Sequence, residues 1–125
     1  MFVIDFGQLC FNNPSGEQSV LLVIGPKREY SSMDSFVTKA LEYLEANDEL
    51  YDDWTELYKN RVYSPVDEDE QNYMDSNLDE MNRRIHILHD PIIRAVHIIP
   101  PKWNDITMGI ETESEYMLYL WETTV

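Results

Sequence analysis

The sequence predicts an α+β fold in one domain, residues 1–125, with a mostly antiparallel sheet of five to six strands and two to three helices packed on one side. Three observations lead to this class. Two aliphatic runs near the start flank a cluster of turn residues, the middle of the chain has apolar residues at helical spacing, and the last third reads as strands. A hydrophobic content of 43% is sufficient for a folded core.

The first two strands are expected to form an antiparallel hairpin. Apolar residues alternate over Phe2–Phe6, which predicts a strand that continues toward Phe11. Turn-forming residues occupy 12–16, and a second aliphatic run covers 19–24. Gly25-Pro26 then ends the second strand.

A helix with a regular apolar spacing follows the hairpin. From Met33 to Leu44, apolar residues fall at i, +3, +4, +7, +8 and +11, and Ser31 or Ser32 can cap the first turn. Glu42 and Glu45 lie on the opposite side of this helix, so we expect them to face solvent.

Two further helices are predicted before the final strands. Asn47 or Asp48 can cap a second helix, whose apolar arc comprises Leu50, Tyr51, Trp54, Leu57 and Tyr58. The acidic segment 67–70 is either a loop or the first turn of a third helix, predicted over about 70 to 83 from its apolar spacing. Ser76–Asp79 has the sequence of a capping box.

The last third is predicted to form four strands. Two aliphatic runs at 84–89 and 92–99 are separated by Asp90-Pro91, and 106–112 pairs with 115–123 around a Glu113-Ser114 turn. Both faces of the last strand are apolar, so it is central in the sheet or one face meets a partner. Central burial is the more usual arrangement.

Acidic residues are concentrated in the middle of the chain. Between Glu42 and Glu80 lie 14 of the 24 acidic residues, interleaved with aromatics and accompanied by two basic residues. The net charge of −15 exceeds the magnitude of about 2 to 8 that keeps a small domain soluble. Such a field repels nucleic acid and anionic lipid and attracts basic proteins. Acidity that serves solvation alone, as in halophilic proteins, remains an alternative.

The sequence predicts no catalytic residue, no metal site and no cofactor. His86 and His89 would point to opposite faces of a strand, so they cannot chelate one ion together. Segment 67–78 starts like an EF-hand loop, but Asn72 and Leu78 stand where glycine and glutamate are required. A small carboxylate-dependent enzyme remains a possible alternative, although the many carboxylates identify no catalytic pair.

The expected environment is the cytoplasm. The single cysteine, Cys10, cannot form an intrachain disulfide, and Asp5 stands near the start, where a signal peptide would be basic and then apolar. No apolar run reaches the roughly 18 residues of a membrane span. We expect a monomer or weak homo-oligomer that binds neither membrane nor nucleic acid.

The predicted function is non-enzymatic binding of a basic protein through an acidic, aromatic-bearing surface. Aromatic anchors and outward carboxylates would together contact the partner, although Trp54 can equally fill the core. The predicted partner-binding residues are Glu42, Glu45, Asp48, Glu49, Asp52, Asp53, Trp54, Glu56, Asp67, Glu68, Asp69 and Glu70.

In its small size, its acidity beside aromatic residues and its α+β pattern, the chain resembles bacterial immunity proteins of contact-dependent inhibition, colicin and related polymorphic toxin systems. The resemblance is one of general character over the whole chain and includes no motif, so no residue role is transferred. It implies binding and neutralisation of a cognate toxin domain, often a basic nuclease. Phage inhibitors that imitate nucleic acid, of the anti-restriction and anti-CRISPR kinds, are the alternative, and an acidic scaffold subunit is another.

Overall fold

The computed structural model describes residues 1–6, 18–47, 52–85 and 90–123, with side chains at all of these positions except 6, 52–55, 84 and 85. The strands in these ranges are β1 (Phe2–Phe6), β2 (Gln18–Pro26), β3 (Ser64–Pro65), β4 (Ile92–His97), β5 (Asp105–Thr112) and β6 (Glu115–Thr123). The helices are α1 (Met33–Ala46), α2 (Asp52–Lys59) and α3 (Glu68–Ile85), with a 3-10 turn at Lys27–Glu29. The six strands form one antiparallel sheet in the order β1-β2-β6-β5-β4-β3, which confirms the α+β class.

Both predicted hairpins are present. β1 pairs with β2, beginning with Phe2 opposite Ile24, and the turn predicted at 12–16 lies outside the described residues. β5 pairs with β6 across the two-residue connection Glu113-Ser114. β6 lies between β2 and β5, so the prediction that the last strand is central is confirmed.

The helices cover both faces of the sheet, whereas the sequence predicted them on one side. α1 packs against Leu118 of β6, while α3 packs against Met117 and Tyr119. Adjacent residues of a strand point to opposite faces, so α1 and α3 lie on opposite sides. The one-sided prediction was wrong because both apolar rows of β6 need a covering layer.

α1 follows its predicted pattern closely. The Oγ atom of Ser32 accepts a hydrogen bond from the Ser35 backbone N–H at 3.1 Å, so Ser32 is the N-cap. The six predicted apolar positions are buried: Met33, Phe36, Val37, Ala40, Leu41 and Leu44.

The close packing of α1 on the sheet requires a glycine in β2. The rings of Tyr30 and Phe36 meet edge to face at 5.1 Å between centroids. A Cβ atom at Gly25 would lie 2.8 Å from a carbon of Tyr30 and 2.9 Å from one of Phe36.

α2 differs from its prediction at two positions. Asn47 is the C-cap of α1 and not a cap of α2, while the alternative cap Asp48 lies outside the described residues. Tyr58 is buried as expected, but Leu57 is 45% exposed although it was assigned to the apolar arc. The remaining arc positions lie outside the described residues or side chains.

α3 begins at Glu68, so the alternative that the acidic segment forms the first turn of the third helix is confirmed, two residues before the predicted start at about 70. The Asp67 carboxylate accepts a hydrogen bond from the Glu70 backbone N–H at 2.8 Å, and the Glu70 carboxylate accepts one from the Asp67 N–H at 3.1 Å. This is a capping box. The box predicted at Ser76–Asp79 was wrong, since those residues lie inside α3.

The C-terminal end of α3 corrects one predicted strand. The backbone of Arg84 and Ile85 is helical, so the strand predicted for 84–89 was wrong at these positions, while 86–89 lie outside the described residues. Ile85 continues the spacing of four residues from Met81, which explains the longer helix. No helix in the described ranges is long and apolar enough to cross a membrane.

Candidate protein-binding surface

The first group of predicted residues lies on α1 and α2, which cover the same face of the sheet. Glu42 and Glu45 of α1 and Glu56 of α2 are all exposed. We call these three carboxylates the α1–α2 acidic surface. Glu42 and Glu45 border a groove of about 130 Å³ between the two helices, lined by Thr38, Leu41, Glu42, Glu45, Tyr58, Lys59 and Arg61.

Arg61 links the end of α2 to α1 through hydrogen bonds to both helices. Its Nη2 donates to Asp34 at 3.0 Å, and its Nη1 donates to the Tyr58 carbonyl at 2.9 Å. A hydrogen bond from Tyr63 and the charge and hydrogen bond of Arg61 lower the pKa of Asp34. The Arg61 guanidinium is therefore engaged with Asp34 and forms no ion pair with Glu42 or Glu45.

The α1–α2 acidic surface forms no ion pair among the described side chains, although Lys59 and Arg61 line the groove that Glu42 and Glu45 border. No described lysine, arginine or histidine lies within 4 Å of the carboxylates of Glu42, Glu45 or Glu56. By contrast, Glu111 contacts Lys27 at 2.5 Å and Arg94 at 3.4 Å. The carboxylates of this surface are therefore unpaired at short range, while Lys59 and Arg61 in the same groove reduce its net charge.

The second group of predicted residues lies on the other face of the sheet, at the start of α3. Asp67, Glu68 and Asp69 are exposed, and we call them the α3 acidic turn. Glu70 is half-buried, and its carboxylate is engaged within the chain because it accepts a hydrogen bond from Nε2 of the buried His97 at 3.0 Å. Glu70 therefore has a structural role in joining α3 to β4.

The remaining predicted residues cannot be placed in either group. Asp48 and Glu49 lie outside the described residues, and so do the side chains of Asp52, Asp53 and Trp54. The prediction that they contribute to the surface stays a prediction.

Both acidic groups are attached to the same end of the sheet. The Tyr58 hydroxyl of α2 is hydrogen-bonded to Thr107 at 2.9 Å, and Glu70 of α3 contacts His97. His97 pairs with Met108, the neighbour of Thr107, so the two contacts fall in adjacent rows of the sheet. α2 and the first turn of α3 thus lie over one stretch of sheet, on opposite faces.

Two carboxylates that the sequence analysis missed occupy this end of the sheet. Asp105 is 8% exposed and pairs with Glu122 in the β5–β6 ladder. Burial raises the pKa of Asp105 to about 6, with a further contribution from the charge of Glu122. The signal was present in the sequence, because both residues are equidistant from the predicted Glu113-Ser114 turn and therefore face each other.

The described residues contain no cluster of three or more histidine, cysteine, aspartate or glutamate side chains arranged to hold a metal ion. Comparisons of the chain with protein-family models, with curated proteins and with solved structures give no match. The function is therefore inferred from the geometry and charge of the surface.

Proposed function

We propose that the protein is a non-enzymatic inhibitor that binds a basic protein, as immunity proteins do when they neutralise a nuclease toxin in the cytoplasm. The observation that carries this proposal is the α1–α2 acidic surface, whose exposed carboxylates have no cation within 4 Å among the described side chains.

The charge of this surface suits fast association with a cationic partner. A patch of one sign raises the rate of encounter by about 10-fold to 1000-fold at low salt. The carboxylates stand on helices that are fixed to each other by Arg61 and to the sheet by Tyr58. A rigid array of this kind binds with little loss of conformational entropy.

Neither of the two depressions in the described part of the chain combines the volume and the ionisable groups of a small-molecule reaction site. Ligand pockets usually enclose about 300 to 1000 Å³. The groove between α1 and α2 holds about 130 Å³. A second depression of about 420 Å³ lies at the β3 edge, and Tyr63 is its one titratable lining residue; the others are Ser64, Pro65, Val66, Ala95 and Val96. The second depression contains no carboxyl group and no histidine.

The test compares two charge-reversal pairs on the full chain. Glu42→Lys with Glu45→Lys changes the α1–α2 acidic surface. Glu29→Lys with Glu113→Lys is the matched control, because both residues are exposed and lie near the opposite end of the sheet, where the Lys27 N–H donates to the Ser114 carbonyl at 2.9 Å. Both pairs change the net charge equally.

The partner is first captured from extracts of the source cell with tagged protein at low salt and then identified. We expect a basic protein whose nuclease activity is abolished at a one-to-one ratio, since an immunity protein acts stoichiometrically. Surface plasmon resonance should show association slowed at least about tenfold for the α1 pair and less than about threefold for the control. Equal effects of the two pairs would remove this surface from the mechanism, and a captured partner with an acidic surface would contradict the proposal itself.

A further inference from the structure

Trp103 is an exposed aromatic residue that the folding of the chain does not explain. It lies between β4 and β5 and is 72% exposed, whereas Trp121 of β6 is 8% exposed. Among the described residues its ring has neither a hydrogen bond nor an aromatic neighbour. An exposed indole adds no hydrophobic burial to the stability of the fold. An exposed tryptophan on the surface therefore indicates contact with another molecule.

The turn that carries Trp103 has a well-fixed backbone. Lys102 donates its N–H to the Asp105 carbonyl at 3.0 Å, and Asp105 donates back to Lys102 at 3.3 Å. The Thr123 N–H donates to the Asn104 carbonyl at 3.0 Å and ties the turn to β6. Pro100-Pro101 precedes it, and proline fixes the φ angle. The indole is therefore presented by a preorganised segment, which lowers the entropic cost of binding.

Two carboxylates and one lysine lie at this turn, and the charge of Lys102 already acts on Asp105. Asp105 belongs to the turn itself, and Glu122 faces Asp105 in the ladder. Thr107, which holds α2 through Tyr58, is four residues from Trp103, so their Cα atoms are at most about 14 Å apart. The α3 acidic turn is joined to the same end of the sheet through Glu70. Asp105 and Glu122 thus lie at the turn that carries the exposed indole.

An arginine side chain matches this combination better than other cationic groups. Its planar guanidinium stacks on an indole face and at the same time donates hydrogen bonds to carboxylates. A lysine ammonium is a more strongly hydrated point charge and does not stack.

We propose that Trp103 is the aromatic anchor of the protein's interface and that it receives an arginine side chain of the basic partner, which Asp105 and Glu122 hold by charge. This inference rests on the proposed function, because it names the contact through which the acidic surface recognises its partner. It also moves the centre of the interface from the helices to the end of the sheet, between the α1–α2 acidic surface and the α3 acidic turn.

The unfavourable charge at Asp105 supports the same site. Burial raises the pKa of its carboxyl group, with a smaller contribution from Glu122, and the charge of Lys102 offsets only part of this rise. An incoming guanidinium would offset the repulsion between the two carboxylates, so part of the cost present in the free protein is recovered on binding.

The test uses a ten-residue peptide of alternating arginine and glycine, and its lysine counterpart, as probes in low salt. Binding is followed through the indole N–H signals in nuclear magnetic resonance spectra, and the Trp103 signal is assigned by its loss in Trp103→Ala. We expect the Trp103 signal of the wild type to move most with the arginine peptide. Trp103→Ala should weaken arginine-peptide binding at least about tenfold and lysine-peptide binding less than about threefold.

Phe2→Ala is the matched control, because Phe2 is 58% exposed on β1, at the other edge of the sheet from β4. It should leave binding of both peptides unchanged. With the captured partner, Trp103→Ala should raise Kd at least about 30-fold, the size typical of a central aromatic anchor.

Unchanged spectra of the buried residues show that Trp103→Ala remains folded. Equal binding of the arginine peptide by wild type and Trp103→Ala would overturn the anchor, and equal affinity of the two peptides for the wild type would overturn recognition of arginine. The charge-reversal pair Glu42→Lys with Glu45→Lys tests the proposed function separately, so the acidic surface can be retained when the anchor fails.

Discussion

Replacing Asp105 by asparagine should stabilise the folded protein above neutral pH. Asp105 is 8% exposed, and burial, with the charge of Glu122 as a second cause, raises the pKa of its carboxyl group from 3.8 to about 6. The folded state therefore holds this proton more tightly than the unfolded state does. As a result, the contribution of Asp105 to the free energy of unfolding falls as the pH rises from about 4 to about 6 and stays low at higher pH.

The size of the effect follows from the two pKa values. A change from 3.8 to about 6 corresponds to at most about 3 kcal/mol when the group is fully ionised in both states. Solvent at the end of the sheet screens part of this cost, so we expect about 2 kcal/mol. Asparagine has nearly the same shape and carries no charge, so it removes the pH-dependent cost.

The assay is urea denaturation of wild type and Asp105→Asn at pH 4 and pH 8. The difference in the free energy of unfolding between variant and wild type should be greater by about 2 kcal/mol at pH 8 than at pH 4. Comparing the same pair at two pH values cancels any constant cost of the amide group. If this difference changes by less than about 0.5 kcal/mol between the two pH values, ionisation of Asp105 does not destabilise the folded state and the reasoning is refuted.

Glu111→Gln is a control of opposite sign. A hydrogen bond from Lys27 and the charges of Lys27 and Arg94 lower the pKa of Glu111. Ionised Glu111 therefore stabilises the folded state above its unfolded pKa, and this contribution is lost as the pH falls through the folded pKa. The glutamine variant should lose stability relative to wild type at pH 8, recover part of that loss at pH 4 and recover more of it at lower pH.

Two packing and capping predictions can be checked by the same denaturation method. Gly25→Ala should cost about 2 kcal/mol, because the new Cβ would meet ring carbons at 2.8 and 2.9 Å, whereas Gly109→Ala should cost less than about 1 kcal/mol, because its Cβ would meet the movable ends of two side chains. A larger loss at Gly109 would contradict this order. Glu70→Ala should cost about 2 kcal/mol, since it removes both a cap and the partner of buried His97, while Asp67→Ala should cost about 1 kcal/mol. Equal losses at Glu70 and Asp67 would mean that the His97 contact contributes little.

The sequence was sufficient for the elements whose pattern is local. The apolar spacing from Met33 to Leu44 specifies α1, and the two apolar rows of β6 specify its central place in the sheet. The side on which each helix packs was predicted incorrectly, because periodicity defines the apolar face of a helix but not the face of the sheet that it covers. α1 and α3 each have one apolar face, so their sequence patterns do not distinguish the two faces of the sheet.

The acidic site could be predicted in composition but not in arrangement. The exposure of Glu42, Glu45 and Glu56 follows from helical phase. The division of the carboxylates between two faces does not, since it depends on non-local contacts such as those of Tyr58 with Thr107 and Glu70 with His97. Trp103 was overlooked for the same reason, because its exposure depends on the pairing of β4 with β5.

Two features of the free protein give no stabilisation or reduce it, and both occur in one short turn. Trp103 leaves most of an indole in water, and Asp105 holds a carboxylate that is buried beside another. Hydrophobic burial would remove the first cost and an added positive charge would reduce the second, so a single arginine-bearing partner relieves both. Residues that reduce the stability of the free protein are typical of binding sites, because function there requires groups that do not stabilise the fold. The coincidence of the two costs in the segment Lys102–Asp105 is therefore the strongest physical reason to place the centre of the interface there.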